Sequence, residues 1–161
     1  MRDTGAIKVY ADTSVFGGAF DPEFKRATES FFSRVRRGGL SLVTSALVAE
    51  EMMAAPVDVR RFFRRVTRRV EHVRVSEGAL ALRDAYVNAG IVGPRSGADA
   101  LHVALASVHA CPVLVSWNCK HIVHFQKIPK YNAVNRLCGY GELAIHTPLE
   151  LLGDEDSEED L

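Results

Sequence analysis

Several oxygen-bearing side chains in this sequence stand where an apolar run ends or begins. Asp12 follows AIKVYA directly, Glu50 and Glu51 sit in SALVAEEMM, Asp99 opens DALHVALA, and Asn118 follows VLVSW. Carboxylates from separate segments make chemical sense together only if they converge. Two of them about 4 Å apart repel by roughly 4 kcal/mol at an effective dielectric near 20, so convergence calls for a compensating cation. Hard oxygen donors without a thiolate or histidine cluster suit Mg²⁺ or Mn²⁺ rather than zinc. Such an ion can activate water and stabilise the charge that develops on an attacked phosphodiester.

Each residue also has a plainer reading. Asp12 can cap a following turn, with Thr13 and Ser14 beside it. Asp99 in a first helical turn suits the helix dipole. One of the two adjacent glutamates must face solvent. His102 lies three residues after Asp99 on the same helical face and reads as a hydrogen-bonded boundary residue rather than a general base. His121 and His124 are spaced i,i+3, which suits helix packing or capping better than a metal site.

The elements that must position these groups follow from the apolar periodicity. Strands are expected at 6–11, 40–43, 72–75, 113–117 and 143–146. Helices are expected over 21–37, from Thr44 or Ser45 to Ala55, over 57–70, from Ser76–Glu77 to Gly90, over 98–109 and near 130–138. Strands alternating with helices indicate an α/β fold with a mainly parallel sheet. Short unalternating runs such as VLVSW match strands covered on both faces. In such a sheet, ligands bind beyond the carboxyl ends of the strands, which is where Asp12 and Asn118 fall.

The signatures DTSV, TSALVAEEM, DALHVALA and LVSWNCKHI together resemble the PIN-domain family of metal-dependent ribonucleases, over about Ile7 to Leu152. The likeness is greatest to bacterial single-domain members, including the VapC toxins of type II toxin–antitoxin pairs. It implies a three-layer α/β/α domain over 1–152 that hydrolyses RNA with Mg²⁺ or Mn²⁺. It implies Asp12, Glu50 and Asp99 as metal-binding acids; Glu50 is preferred to Glu51 because it lies six residues after Thr44. Asn118 falls where many members carry a fourth acid, and an amide there orients water or ligand without adding charge. Ser116 and Ser14 fall at positions of hydroxyls near the phosphate and the first acid. A cognate antitoxin and a homodimer are further implications. The alternative is a PIN-like module that binds RNA or protein without cleaving.

Twenty Lys and Arg balance twenty Asp and Glu over 161 residues, yet the zero is a sum of unlike parts. Residues 154–160 hold six acids and no base, leaving a surplus of +6 in residues 1–153. The segment 153–161 reads as an acidic tail outside the packed body. Arg60, Arg64 and Arg68 form one i,i+4 row on the helix expected over 57–70, and Arg61, Arg65 and Arg69 the next. Such a face suits an RNA backbone, or the acids of a protein partner. Cys111, Cys119 and Cys138 form no CxxC pair and suit a reducing compartment. No secretory signal or membrane-length apolar run is present, so a cytoplasmic location is expected.

Overall fold

The computed structural model describes residues 5–152. The acidic segment 153–161 lies outside the described residues. Five strands form one sheet: β1 (Ile7–Ala11), β2 (Leu40–Ser45), β3 (Glu71–Val73), β4 (Val113–Val115) and β5 (Ala144–His146). Their order is β3-β2-β1-β4-β5, and every pairing is parallel. The expected mainly parallel α/β architecture is therefore observed.

Among the described residues, seven α-helices connect the strands: α1 (Thr13–Gly18), α2 (Lys25–Arg36), α3 (Ala46–Met52), α4 (Val57–Val66), α5 (Glu77–Asn88), α6 (Gly97–Val108) and α7 (Ile128–Leu137). Parallel connections in one sheet are right-handed. The chain first steps from β1 to β2 to β3, which puts α1–α4 on one face. It then crosses to β4 and β5, which puts α5–α7 on the other. The result is three layers, α/β/α. Central strand β1 accordingly carries Val9, Tyr10 and Ala11 fully buried.

Three helical features depart most from the sequence expectation. Residues 13–18 are a helix rather than a turn, whereas the next helix starts at Lys25, not near Asp21. The helix expected over 57–70 ends at Val66. There Thr67 Oγ1 donates to the Phe63 carbonyl, and Val70 N–H bonds back to Thr67 O as the chain turns toward β3. Arg68 and Arg69 thus lie beyond the helix, and only Arg60, Arg61, Arg64 and Arg65 share it.

Gly18 is required by close approach. A Cβ there would stand 2.6 Å from Trp117 Nε1 and 2.7 Å from Thr28 Oγ1, two atoms that hydrogen-bond each other at 2.9 Å. This contact seats α1 and α2 against the segment after β4. No helix among the described residues is long and apolar enough to cross a membrane.

Candidate active site at the crevice between β1 and β4

The strand order reverses at β1, so the chain leaving β1 and the chain leaving β4 diverge and open a crevice at their carboxyl ends. Asp12 stands at its floor, 3% exposed, with its N–H on the Val115 carbonyl. Its carboxylate makes no capping bond to α1. Instead Ser14 Oγ donates to Oδ1 at 2.6 Å and Ser116 Oγ donates to Oδ2 at 2.6 Å. Both hydroxyls are themselves oriented by the segment after β4: Trp117 N–H bonds Ser14 Oγ, and Asn118 N–H bonds Ser116 Oγ. The turn-capping reading of Asp12 is set aside by these contacts.

Of the two adjacent glutamates, the structure brings Glu51, not the expected Glu50, toward Asp12. The reason is the helix start. Ser45 caps α3 by accepting from Val48 N–H, so Leu47, Val48 and Met52 turn inward and Glu50 is left exposed. Glu51 Oε1 accepts from Thr13 Oγ1 at 2.8 Å and lies 2.5 Å from His102 Nε2. His102 Nδ1 in turn meets Tyr10 Oη at 2.8 Å, and Tyr10 Oη meets Ser45 Oγ at 2.8 Å. Sequence reasoning missed Thr13, Tyr10 and Ser45 as parts of this site, whereas His102 is hydrogen-bonded as expected. The i,i+3 spacing of Asp99 and His102 was the only available signal.

Asp99 is half-buried in the first turn of α6, one turn before His102, and its charge bears on Tyr131. Among the described residues no hydrogen bond or ion pair joins it to Asp12 or Glu51. Asn118 is committed elsewhere: its Oδ1 accepts from His121 N–H at 3.0 Å, capping the turn after β4. His124 Nδ1 accepts from Gln126 N–H, and His121 Nε2 lies 3.4 Å from Ser96 Oγ.

The electrostatics separate the two acids. Burial pushes the Asp12 carboxyl above its ordinary value, against the opposing pull of His102, Ser116 and Ser14, and the nearby Glu51 adds to the rise. Burial also acts upward on Glu51, but the His102 and Thr13 contacts outweigh it and hold its carboxyl low. A buried carboxylate that feels the charge of a second one gains from a cation.

The fit to a metal is partial. Among the described residues no three His, Cys, Asp or Glu side chains are grouped to hold an ion. Two hard-oxygen acids nevertheless suit Mg²⁺, which commonly keeps several waters and takes one or two carboxylates plus substrate phosphate.

On the α4 side, Arg61, Arg64 and Arg65 are exposed, with the Arg65 guanidinium 5.5 Å from the Phe62 ring centre. A groove of about 740 Å³ between α2 and α4 is lined by Phe20, Phe62, Lys25, Arg36 and Arg65, with Glu29 as its acid.

No family model and no curated protein sequence matches the chain. Solved structures do match its fold. VapBC2 from Rickettsia felis, bound to a DNA fragment from their promoter, superposes with a TM-score of 0.59 at 14% identity, over 88% of this chain and 98% of that one. FitAcB from Neisseria gonorrhoeae gives 0.55 at 13% identity, over 89% and 99%. FitAB bound to the IR36 DNA fragment gives 0.57 at 14%, over 91% and 99%. The chain is thus a three-layer, PIN-like α/β/α domain with the fold present in VapBC2 and FitAB.

Proposed function

We propose that this protein is a Mg²⁺- or Mn²⁺-dependent ribonuclease that hydrolyses RNA phosphodiesters, and that it acts as the toxin of a toxin–antitoxin pair. The observation that carries the reading is the buried Asp12 carboxylate at the sheet's switch point with Glu51 beside it. Asp12 and Glu51 would hold the cation, and Asp99 would approach it through water or substrate. The cation, when bound, supplies a Lewis acid for the phosphoryl oxygen and lowers the pKa of attacking water.

The chain's own residues do the positioning. Ser14 and Ser116 fix both Asp12 oxygens, Thr13 and His102 fix one Glu51 oxygen, and the cap at Asn118 shapes the wall of the crevice. The exposed Arg61, Arg64 and Arg65 would hold the RNA backbone, a role that carries no sequence specificity. The antitoxin partner is drawn from the resemblance to VapC toxins and from the likeness to VapBC2 and FitAB.

The test is single-turnover cleavage of RNA with Mn²⁺ or Mg²⁺. Asp12→Ala and Asp99→Ala are expected to abolish cleavage with the fold retained by circular dichroism. Undiminished metal-dependent cleavage by both variants would overturn the assignment. A second reading, a PIN-like module that binds without cleaving, is favoured by two observations: Asn118 Oδ1 is taken up by a backbone cap, and among the described residues Asp99 is not grouped with the other acids. Metal binding without turnover on any RNA would select it.

A further inference from the structure

We infer that His102 is the positioning residue of this acid pair: as its Nε2–H tautomer it clamps Glu51, and the tautomer is set by a hydrogen-bonded line running from Ser45 through Tyr10. The inference rests on the proposed function for its consequence, because Glu51 would be a cation ligand. Its geometry stands independently of that reading.

Proton accounting along the line gives the direction. Ser45, Tyr10 and His102 are all buried, at 0%, 0% and 2% exposure, so each polar hydrogen needs an internal acceptor. Ser45 Oγ already accepts the Val48 N–H, leaving its own hydrogen to donate. Tyr10 Oη is the acceptor within reach at 2.8 Å. The Tyr10 hydrogen then goes to His102 Nδ1, also at 2.8 Å. With Nδ1 accepting, the ring hydrogen sits on Nε2 and points at Glu51 Oε1, 2.5 Å away. Reversing the line would leave the buried Ser45 hydrogen without a partner. Only one direction satisfies every group.

The arrangement links element to site. Ser45 is both the cap that starts α3 and the first donor of the line, so the residue that sets which glutamate turns inward also sets the ring that holds it. Thr13, from the other side of the crevice, donates to the same Glu51 oxygen. Oε1 is therefore held from two directions, and the second oxygen is left for a ligand. Hydrogen bonds that orient a ligating carboxylate in this way are worth about 10- to 100-fold in metal affinity.

The test reads the ring directly. Long-range ¹H–¹⁵N correlation spectra of the metal-free ¹⁵N-labelled protein, with His102 assigned by its loss in His102→Gln, should show protonated Nε2 and bare Nδ1. A protonated Nδ1 with bare Nε2 would overturn the inference. Tyr10→Phe should strip Nδ1 of its hydrogen-bond donor, shifting the His102 ring nitrogen resonances and weakening binding of Mn²⁺ alone; an unchanged spectrum with unchanged Mn²⁺ affinity would also overturn it. His102→Gln should weaken Mn²⁺ binding by about tenfold or more. None of these readouts uses RNA cleavage. A wild-type protein with the expected tautomer and Mn²⁺ dependence but no cleavage would refute the nuclease reading and leave His102 in its positioning role.

Discussion

Asp12 and Glu51 are both carboxylates in one crevice, yet their surroundings push them in opposite directions. The Asp12 shift is upward, so the folded metal-free protein holds its proton more tightly than the unfolded chain does. The resulting penalty is absent below the ordinary carboxyl value of 3.8, grows as pH rises through the raised value, and is full above it. Asp12→Asn should therefore raise the urea midpoint of the metal-free protein at pH 8, with a gain that shrinks toward pH 4. Glu51 contributes with the opposite sign, its stabilisation being lost as pH falls through its lowered value. The cysteines offer a second check at this scale. Burial pushes the Cys111 thiol up to about 11, whereas Cys119 and Cys138 are exposed. Iodoacetamide at pH 8 should label two thiols in the native protein and the third only after denaturation.

At the scale of elements, the sequence exposed the order of strands and helices well, because parallel strands buried on both faces leave short continuous apolar runs that length and flanking turn residues identify. Helix ends were harder. The α4 boundary depends on Thr67 bonding back to Phe63, a local choice that the continuing arginine rows conceal. Asp12 was legible because it adjoins an unmistakable strand. Glu51 was not, because choosing between adjacent residues requires the helix start to within one position. Thr44 and Ser45 are equal candidates as caps until the structure shows Ser45 accepting from Val48. Asn118 matched in sequence position but serves a cap. The α1 helix is six residues long and carries two glycines, so no helical period could announce it. Its packing makes a prediction: Gly18→Ala should destabilise by about 1–3 kcal/mol through overpacking on Trp117 and Thr28, measured by urea denaturation.

Across the whole molecule, the charge is divided between a basic body and an acidic segment. RNA affinity should fall steeply with salt. Substituting Gln for both Arg64 and Arg65 should lower the slope of log affinity against log salt by about 0.7 per arginine, with little change in sequence preference. Deleting residues 154–161 should tighten RNA binding at low salt if these acids compete for the same surface; unchanged affinity would assign that segment no part in binding.

If Asp12 and Glu51 together form the cleaving site, the two adjacent glutamates must differ sharply in their effect on cleavage. Glu51→Gln should slow Mn²⁺-dependent RNA cleavage by about 100-fold or more, while Glu50→Gln, on the exposed face of α3, should cleave at the wild-type rate. The reverse pattern, with Glu50→Gln inactive and Glu51→Gln unimpaired, would contradict the site described here.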